Sequence, residues 1–225
     1  MTDQKRSILI ICTSVLCCAF MAVIDGVIKA DYFVKSLIKL VVFIFIPFLL
    51  FIFEKKLLLK SLFNFNCKKL KNIPILCVAL YTLIICAYFL FKDFFDFSNI
   101  TKSLSNNIGV SGQNFIYVSL YISFVNSMLE EFFFRGFVFM NLKKTLNRKW
   151  AYIFSALIFA IYHIAMMTDW FSIWVMIISL VGLFIGGLIF NFLNEESESI
   201  YPSWFVHMFA NFAINTIGFI LFGAL

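Results

Sequence analysis

Long apolar runs dominate this chain. Seven of them, at about 7–28, 33–53, 73–91, 113–142, 150–168, 171–193 and 201–224, are long enough to cross a bilayer as helices. A helix needs about 20 mostly apolar residues to span the ~30 Å hydrocarbon core. No alternating strand pattern occurs, and open sheet edges cannot face lipid, so helices are expected throughout. The predicted fold is therefore all-α, a polytopic transmembrane helix bundle of about seven spans. Composition agrees: 63% of residues are hydrophobic and 13% charged, where soluble domains are about half apolar and about a quarter charged. The short connections leave no room for a soluble domain. Three spans in 1–110 and four in 111–225 are expected to form one integrated membrane domain.

The first run follows Lys5 and Arg6, as a signal peptide's apolar segment would. It is longer than such a segment and lacks a clear small-x-small cleavage site, so it reads as a retained first helix. The net charge of +6 is no nucleic-acid signal, because the basic residues lie in short loops between apolar runs. Their distribution sets orientation instead. With the N-terminus cytoplasmic, the inner side receives Lys5, Arg6, Lys55, Lys56, Lys60, Lys68, Lys69, Lys71, Lys143, Lys144, Arg148 and Lys149. The outer side receives only Lys29, Lys35, Lys92 and Lys102. The inner 194–200 loop runs against the trend with Glu195, Glu196 and Glu198, but acids contribute little to this rule. A multi-pass cell-membrane protein is expected, with the lipid bilayer as its surroundings.

The cysteines at 12, 17, 18, 67, 77 and 86 show neither a disulfide framework nor zinc-finger spacing. They read as small buried hydrophobes. Gly182 and Gly186 form a G-x-x-x-G within the sixth span, which predicts close helix packing there.

Ionisable side chains inside spans carry the functional signal, since each is costly in lipid. Asp25 and Lys39 lie near span ends, where they are expected to snorkel or pair locally. The fourth span differs, with Glu130, Glu131 and Arg135 in its interior. Glu131 and Arg135 are four apart with the acid N-terminal, the better order for an ion pair on one helix face. Glu130 lies about 100° round the helix and must face something else. Two adjacent carboxylates in a low dielectric resist being ionised together, which suits a general base or acid. The only histidines, His163 and His207, fall in the fifth and seventh spans, and His207 shares a face with Asn211. Counted from the inner loops at 1.5 Å per residue, Glu130, His163 and Asn211 each lie roughly 20 Å deep, and His207 about 14 Å.

Three motifs collect these residues: Glu130-Glu131-x-x-x-Arg135, Phe159-x-x-x-His163 and His207-x-x-x-Asn211, in order and on separate predicted helices. Ser199-Ile200-Tyr201-Pro202 stands just upstream of the third. Together they resemble the CPBP family, the CAAX proteases and bacteriocin-processing enzymes also called Abi, over about residues 113–217. The resemblance implies a glutamate-dependent endopeptidase acting inside the membrane, on a peptide or membrane-associated protein, at its cytoplasmic side. Glu130 backed by His163 would activate a water, His207 and Asn211 would hold the oxyanion, and Glu131 with Arg135 would support the site. The resemblance favours a metal-free site; the competing reading binds zinc through Glu130, His163 and His207. Implied roles are peptide or bacteriocin maturation, self-immunity, or CAAX-type processing. Two other classes stay open: a non-catalytic immunity or scaffold protein, and an ion-coupled carrier.

Overall fold

A computed structural model describes residues 1–65, 71–94, 97, 100–102, 110–168 and 172–224. Cys67, Lys68, Lys69 and residue 171, where the sixth span was expected to begin, lie outside the described residues. Among the described residues there is no strand, and helices account for nearly all the ordered backbone. The long ones are α1 (Asp3–Ile28), α2 (Tyr32–Phe53), α3 (Ile73–Phe91), α4 (115–145), α5 (Arg148–Met167), α6 (Ile173–Ser197) and α7 (Tyr201–Leu221). Six of these, all but α4, are long and apolar enough to cross a membrane. The protein is a multi-pass membrane protein.

The exception has a physical reason. Glu130, Glu131 and Arg135 make the middle of α4 too polar for a lipid-facing span, and it is not placed as one. Every residue from Leu129 to Leu142 is buried, on all sides of the helix. A stretch covered all round is a core segment, whereas the first half of α4 leaves Tyr117, Leu120 and Phe124 exposed. Its neighbours are α1, α2, α5, α6 and α7. By contrast, α3 and α6 leave most of their surface open, with Leu83, Leu90, Ile178 and Ile185 among the exposed side chains.

Polar contacts fix the helices around α4. Ser119, Ser123 and Ser127, four apart, form a buried stripe facing α7. There Asn215 Nδ2 donates to the Ser119 carbonyl (3.1 Å) and to Ser123 Oγ (3.0 Å), and Trp204 Nε1 donates to Ser127 Oγ (3.1 Å). Ser155 of α5 donates to the Phe134 carbonyl at 2.9 Å. The N-terminal half docks at the C-terminal end of α4: the Leu58 N–H donates to Asn141 Oδ1 (2.6 Å), and the Leu62 carbonyl accepts from the Ile200 N–H (3.0 Å). Near that end Glu195 meets Arg148 (2.6 Å) and Lys143 (3.4 Å). Of the acids that ran against the loop-charge trend, Glu195 thus sits in the last turn of α6, paired with the basic loop.

Two packing expectations change. A methyl group added at Gly182 or Gly186 would meet nothing within 4 Å, so the G-x-x-x-G pair faces open space. The close approach is at Gly187, where an added Cβ would stand 3.0 Å from the Ala156 backbone. Of the cysteines expected to be buried, Cys17, Cys18 and Cys77 are, while Cys12 and Cys86 lie exposed on helix surfaces. Cysteine is apolar enough for either place.

Candidate active site

The site forms where α2, α5 and α7 converge on the middle of α4. The helix is unusual there. A turn of ordinary α-helix, Ser127–Glu130, lies between wider π-type turns at Tyr121–Asn126 and Glu131–Phe139, the latter closed by the Met140 N–H bonding the Arg135 carbonyl. Such widened turns are found disproportionately at functional sites.

Glu131 and Arg135 form the expected pair, Nη1 to Oε1 at 3.2 Å, with both side chains fully buried. The guanidinium lies over the Phe159 ring at 4.0 Å and near that of Phe190 at 5.0 Å. Glu131 Oε1 also takes a hydrogen bond from His207 Nδ1 at 2.9 Å. That bond puts the proton of His207 on Nδ1 and turns Nε2 toward Glu130. The His207 ring stacks on Phe190, with centroids 5.4 Å apart.

His163 ends the main run of α5, at a turn before the short segment Ile164–Met167. Its Nδ1 donates to the Phe159 carbonyl at 2.7 Å. A carbonyl only accepts, so Nδ1 carries the proton and Nε2 is left to face the site. The F-x-x-x-H spacing thereby gains a physical meaning: one turn separates the aromatic residue whose carbonyl orients the imidazole from the imidazole itself.

Glu130 stands between these groups. Its Oε2 lies 3.6 Å from His207 Nε2 and 3.8 Å from His163 Nε2. Both distances exceed a direct hydrogen bond and suit a bridging molecule. Its Oε1 is occupied by Lys39 Nζ at 2.5 Å and Asn126 Nδ2 at 3.0 Å. Lys39 was expected to snorkel or pair locally. It is buried instead, 91 positions away in sequence from its partner, because α2 packs its Lys39 face onto α4. Asp25 does pair locally, with Lys35 at 3.4 Å.

Five of the six site residues read from the sequence therefore meet: Glu130, Glu131, Arg135, His163 and His207. Asn211 lies on the same face of α7, but its amide donates to the Ile122 carbonyl at 3.1 Å, two turns before Glu130. The adjacent carboxylates point different ways, as expected, with His207 between them. Each has its own cation, Lys39 for Glu130 and Arg135 for Glu131. Sequence reading missed Lys39 and Asn126. Asn126 was legible as the residue one turn before Glu130; for Lys39 the only signal was a lysine seven residues into an apolar run. Among the described residues no group of three His, Cys, Asp or Glu is arranged to hold a metal ion. The Lys39 ammonium occupies Oε1 of Glu130, so only Oε2 is turned to the two imidazoles.

Fold and site together define a class: a helical membrane protein whose core buries a carboxylate–imidazole cluster. Residues 112–213 match the family model of the type II CAAX prenyl endopeptidases, Rce1-like. The match makes that segment similar to the CPBP family, as its three motifs are, and points to a CAAX-type intramembrane endopeptidase. No curated protein and no solved structure matches the chain. The family match runs from just before α4 into α7; α1–α3, and Lys39 with them, fall outside it.

Proposed function

We propose that the protein is a glutamate-dependent intramembrane endopeptidase whose general base is Glu130. One observation carries this reading: Oε1 of Glu130 is saturated, whereas Oε2 faces two imidazole nitrogens across gaps of 3.6 and 3.8 Å. A water held by Glu130 Oε2 and His163 Nε2 loses a proton to the carboxylate as its oxygen attacks the scissile carbonyl carbon. The carbonyl oxygen becomes an oxyanion. His207, oriented by Glu131, donates to it from Nε2 when protonated at both nitrogens, and Asn211, one turn on, offers its second amide hydrogen. Glu130 then returns its proton to the amide nitrogen as the C–N bond breaks, leaving a carboxylic acid and an amine. No step requires a metal. Cleavage restored by zinc after chelation would overturn that part of the reading.

The substrate proposed is a peptide or membrane-associated protein. The family's printed name, CAAX prenyl endopeptidase, makes a prenylated C-terminal segment one candidate. A secreted peptide before export, as in bacteriocin maturation or self-immunity, is the other. The excess of basic residues on the N-terminal side supports a site reached from the cytoplasm. The test is comparative peptidomics of cells carrying wild type or Glu130→Ala. A peptide that loses its mature end only in the variant names the substrate. Wild-type cleavage of that peptide by purified Glu130→Ala would sink the proposal, and full retention of a cellular phenotype by the variant would favour a binding role.

A further inference from the structure

The region outside the family match contributes one side chain to the core of the site. We infer that Lys39 is the charge partner and positioning residue of Glu130: it keeps the carboxylate ionised and pins Oε1, so that Oε2 alone acts as base. The inference rests on the reading of Glu130 as the base.

Geometry comes first. Lys39 Nζ donates to Glu130 Oε1 and to Asn126 Oδ1, each at 2.5 Å, while Asn126 Nδ2 donates to the same Glu130 oxygen at 3.0 Å. The three residues close a ring of hydrogen bonds with the carboxylate oxygen at one corner. Beyond the ring, the ammonium lies 5.0 Å from the centroid of Tyr162 and 5.4 Å from that of Phe43. Those faces favour a cation and offer it no competing acceptor. Two hydrogen bonds and two aromatic faces enclose Lys39 Nζ. It is placed to act on Glu130, not on a substrate.

Charge counting gives the reason for a cation there. The groups around Glu130 are Lys39 from α2, His163 from α5, His207 from α7, and the Glu131–Arg135 pair on α4 itself. Arg135 is committed to Glu131. With both imidazoles neutral, two carboxylates balance two permanent cations. Without Lys39 the buried cluster carries one uncompensated negative charge, which low-dielectric surroundings do not tolerate. The carboxylate would then take up a proton and cease to be a base. A cation that only braced two helices would need no Asn126 bridge and no contact with the reacting group.

The test needs no substrate at its first stage. Infrared spectra of the full-length protein in lipid nanodiscs at neutral pH would be recorded for wild type, Glu130→Gln, Lys39→Met, Lys39→Gln, Lys39→Arg and the double variant Lys39→Met/Glu130→Gln. The wild-type minus Glu130→Gln difference is expected to show carboxylate bands only. Lys39→Met and Lys39→Gln are expected to gain a carboxylic-acid carbonyl band that the double variant lacks and Lys39→Arg does not show. An acid band assigned to Glu130 in the wild type overturns the inference without any variant of Lys39. So does a folded Lys39→Met in which Glu130 stays ionised. With a fluorogenic farnesylated CAAX peptide as probe, kcat of Lys39→Met should fall about 100-fold at nearly unchanged KM, with recovery in Lys39→Arg. Undiminished kcat in Lys39→Met with an inactive Glu130→Gln removes the role of Lys39 alone; an active Glu130→Gln removes the base reading, whatever the spectra show.

Discussion

The two halves of the molecule bury charge in different ways. In the family-matched half, Glu131 pairs with Arg135 and His207, and His163 with the carbonyl of Phe159, all within that segment. In the N-terminal half, Lys39 makes its hydrogen bonds across to Glu130 and Asn126. On the proposed mechanism the motif half holds the reacting groups and their orientation, while the N-terminal half supplies charge balance. A sequence match confined to 112–213 identifies the first and says nothing of the second.

The sharpest way to break this division is at Glu130. Glu130→Gln keeps the shape and a hydrogen-bonding head but removes the base. Cleavage should fall by about 10²–10⁴-fold, the range general acid–base groups contribute, with the protein still accumulating in the membrane. Activity above that range at normal abundance would mean that the motif half does not hold the base.

Next in size is the Glu131–Arg135 pair. Both members are fully buried, so removing one leaves the other uncompensated, at a cost of about 3–5 kcal/mol. Arg135→Met should therefore unfold readily in detergent. Arg135→Met/Glu131→Gln should recover part of the lost stability, because no lone charge remains. It should not recover activity, since His207 loses the carboxylate that orients it. Equal stability of single and double variants would show that this pair does not behave as a closed charge unit.

The boundary between the halves can be tested at Asn141. Its Oδ1 accepts from the Leu58 N–H at 2.6 Å, and its Nδ2 donates to the Gly136 and Phe137 carbonyls at 3.0 and 3.1 Å. Asn141→Ala strands a buried N–H, at a cost of about 1–3 kcal/mol. The 54–65 loop should then become the first site of limited proteolysis. Unchanged resistance there would mean that the two halves are held together elsewhere.

Much of this arrangement was written locally. The apolar runs gave the helices, because length and hydropathy are properties of one segment. Four-residue spacings gave Glu131 with Arg135, Phe159 with His163, and His207 with Asn211, because one turn of helix decides which side chains share a face. The Ser119-Ser123-Ser127 stripe that receives Asn215 obeys the same period. What could not be read depends on which helices touch. Lys39 looked like a snorkelling residue since its partner lies 91 positions away. For the same reason Glu130 was left without a cation until α2 supplied one. The burial of α4 was also hidden: a run broken by three charges signals only that something must cover it.

The smallest expected effect separates a spacing rule from a contact. Gly186 belongs to the G-x-x-x-G pattern and Gly187 does not, yet only Gly187 lies against another helix. Its added Cβ would stand 3.0 Å from both Cα and Cβ of Ala156 and 3.4 Å from Arg135 Nη2. The first of these is backbone, so α5 and α6 must part by a few tenths of an ångström. Gly187→Ala should then cost about 1–3 kcal/mol, reduced by whatever helix preference for alanine returns. Gly186→Ala meets nothing and should stay within about 0.5 kcal/mol of wild type. Because Arg135 borders the same contact, Gly187→Ala should also lower kcat slightly, whereas Gly186→Ala should not. Unfolding of both variants in the same detergent decides the point. A larger loss for Gly186→Ala would mean that the open face of α6 is covered in the membrane by something the isolated chain does not include, and that the repeat spacing had been the better guide.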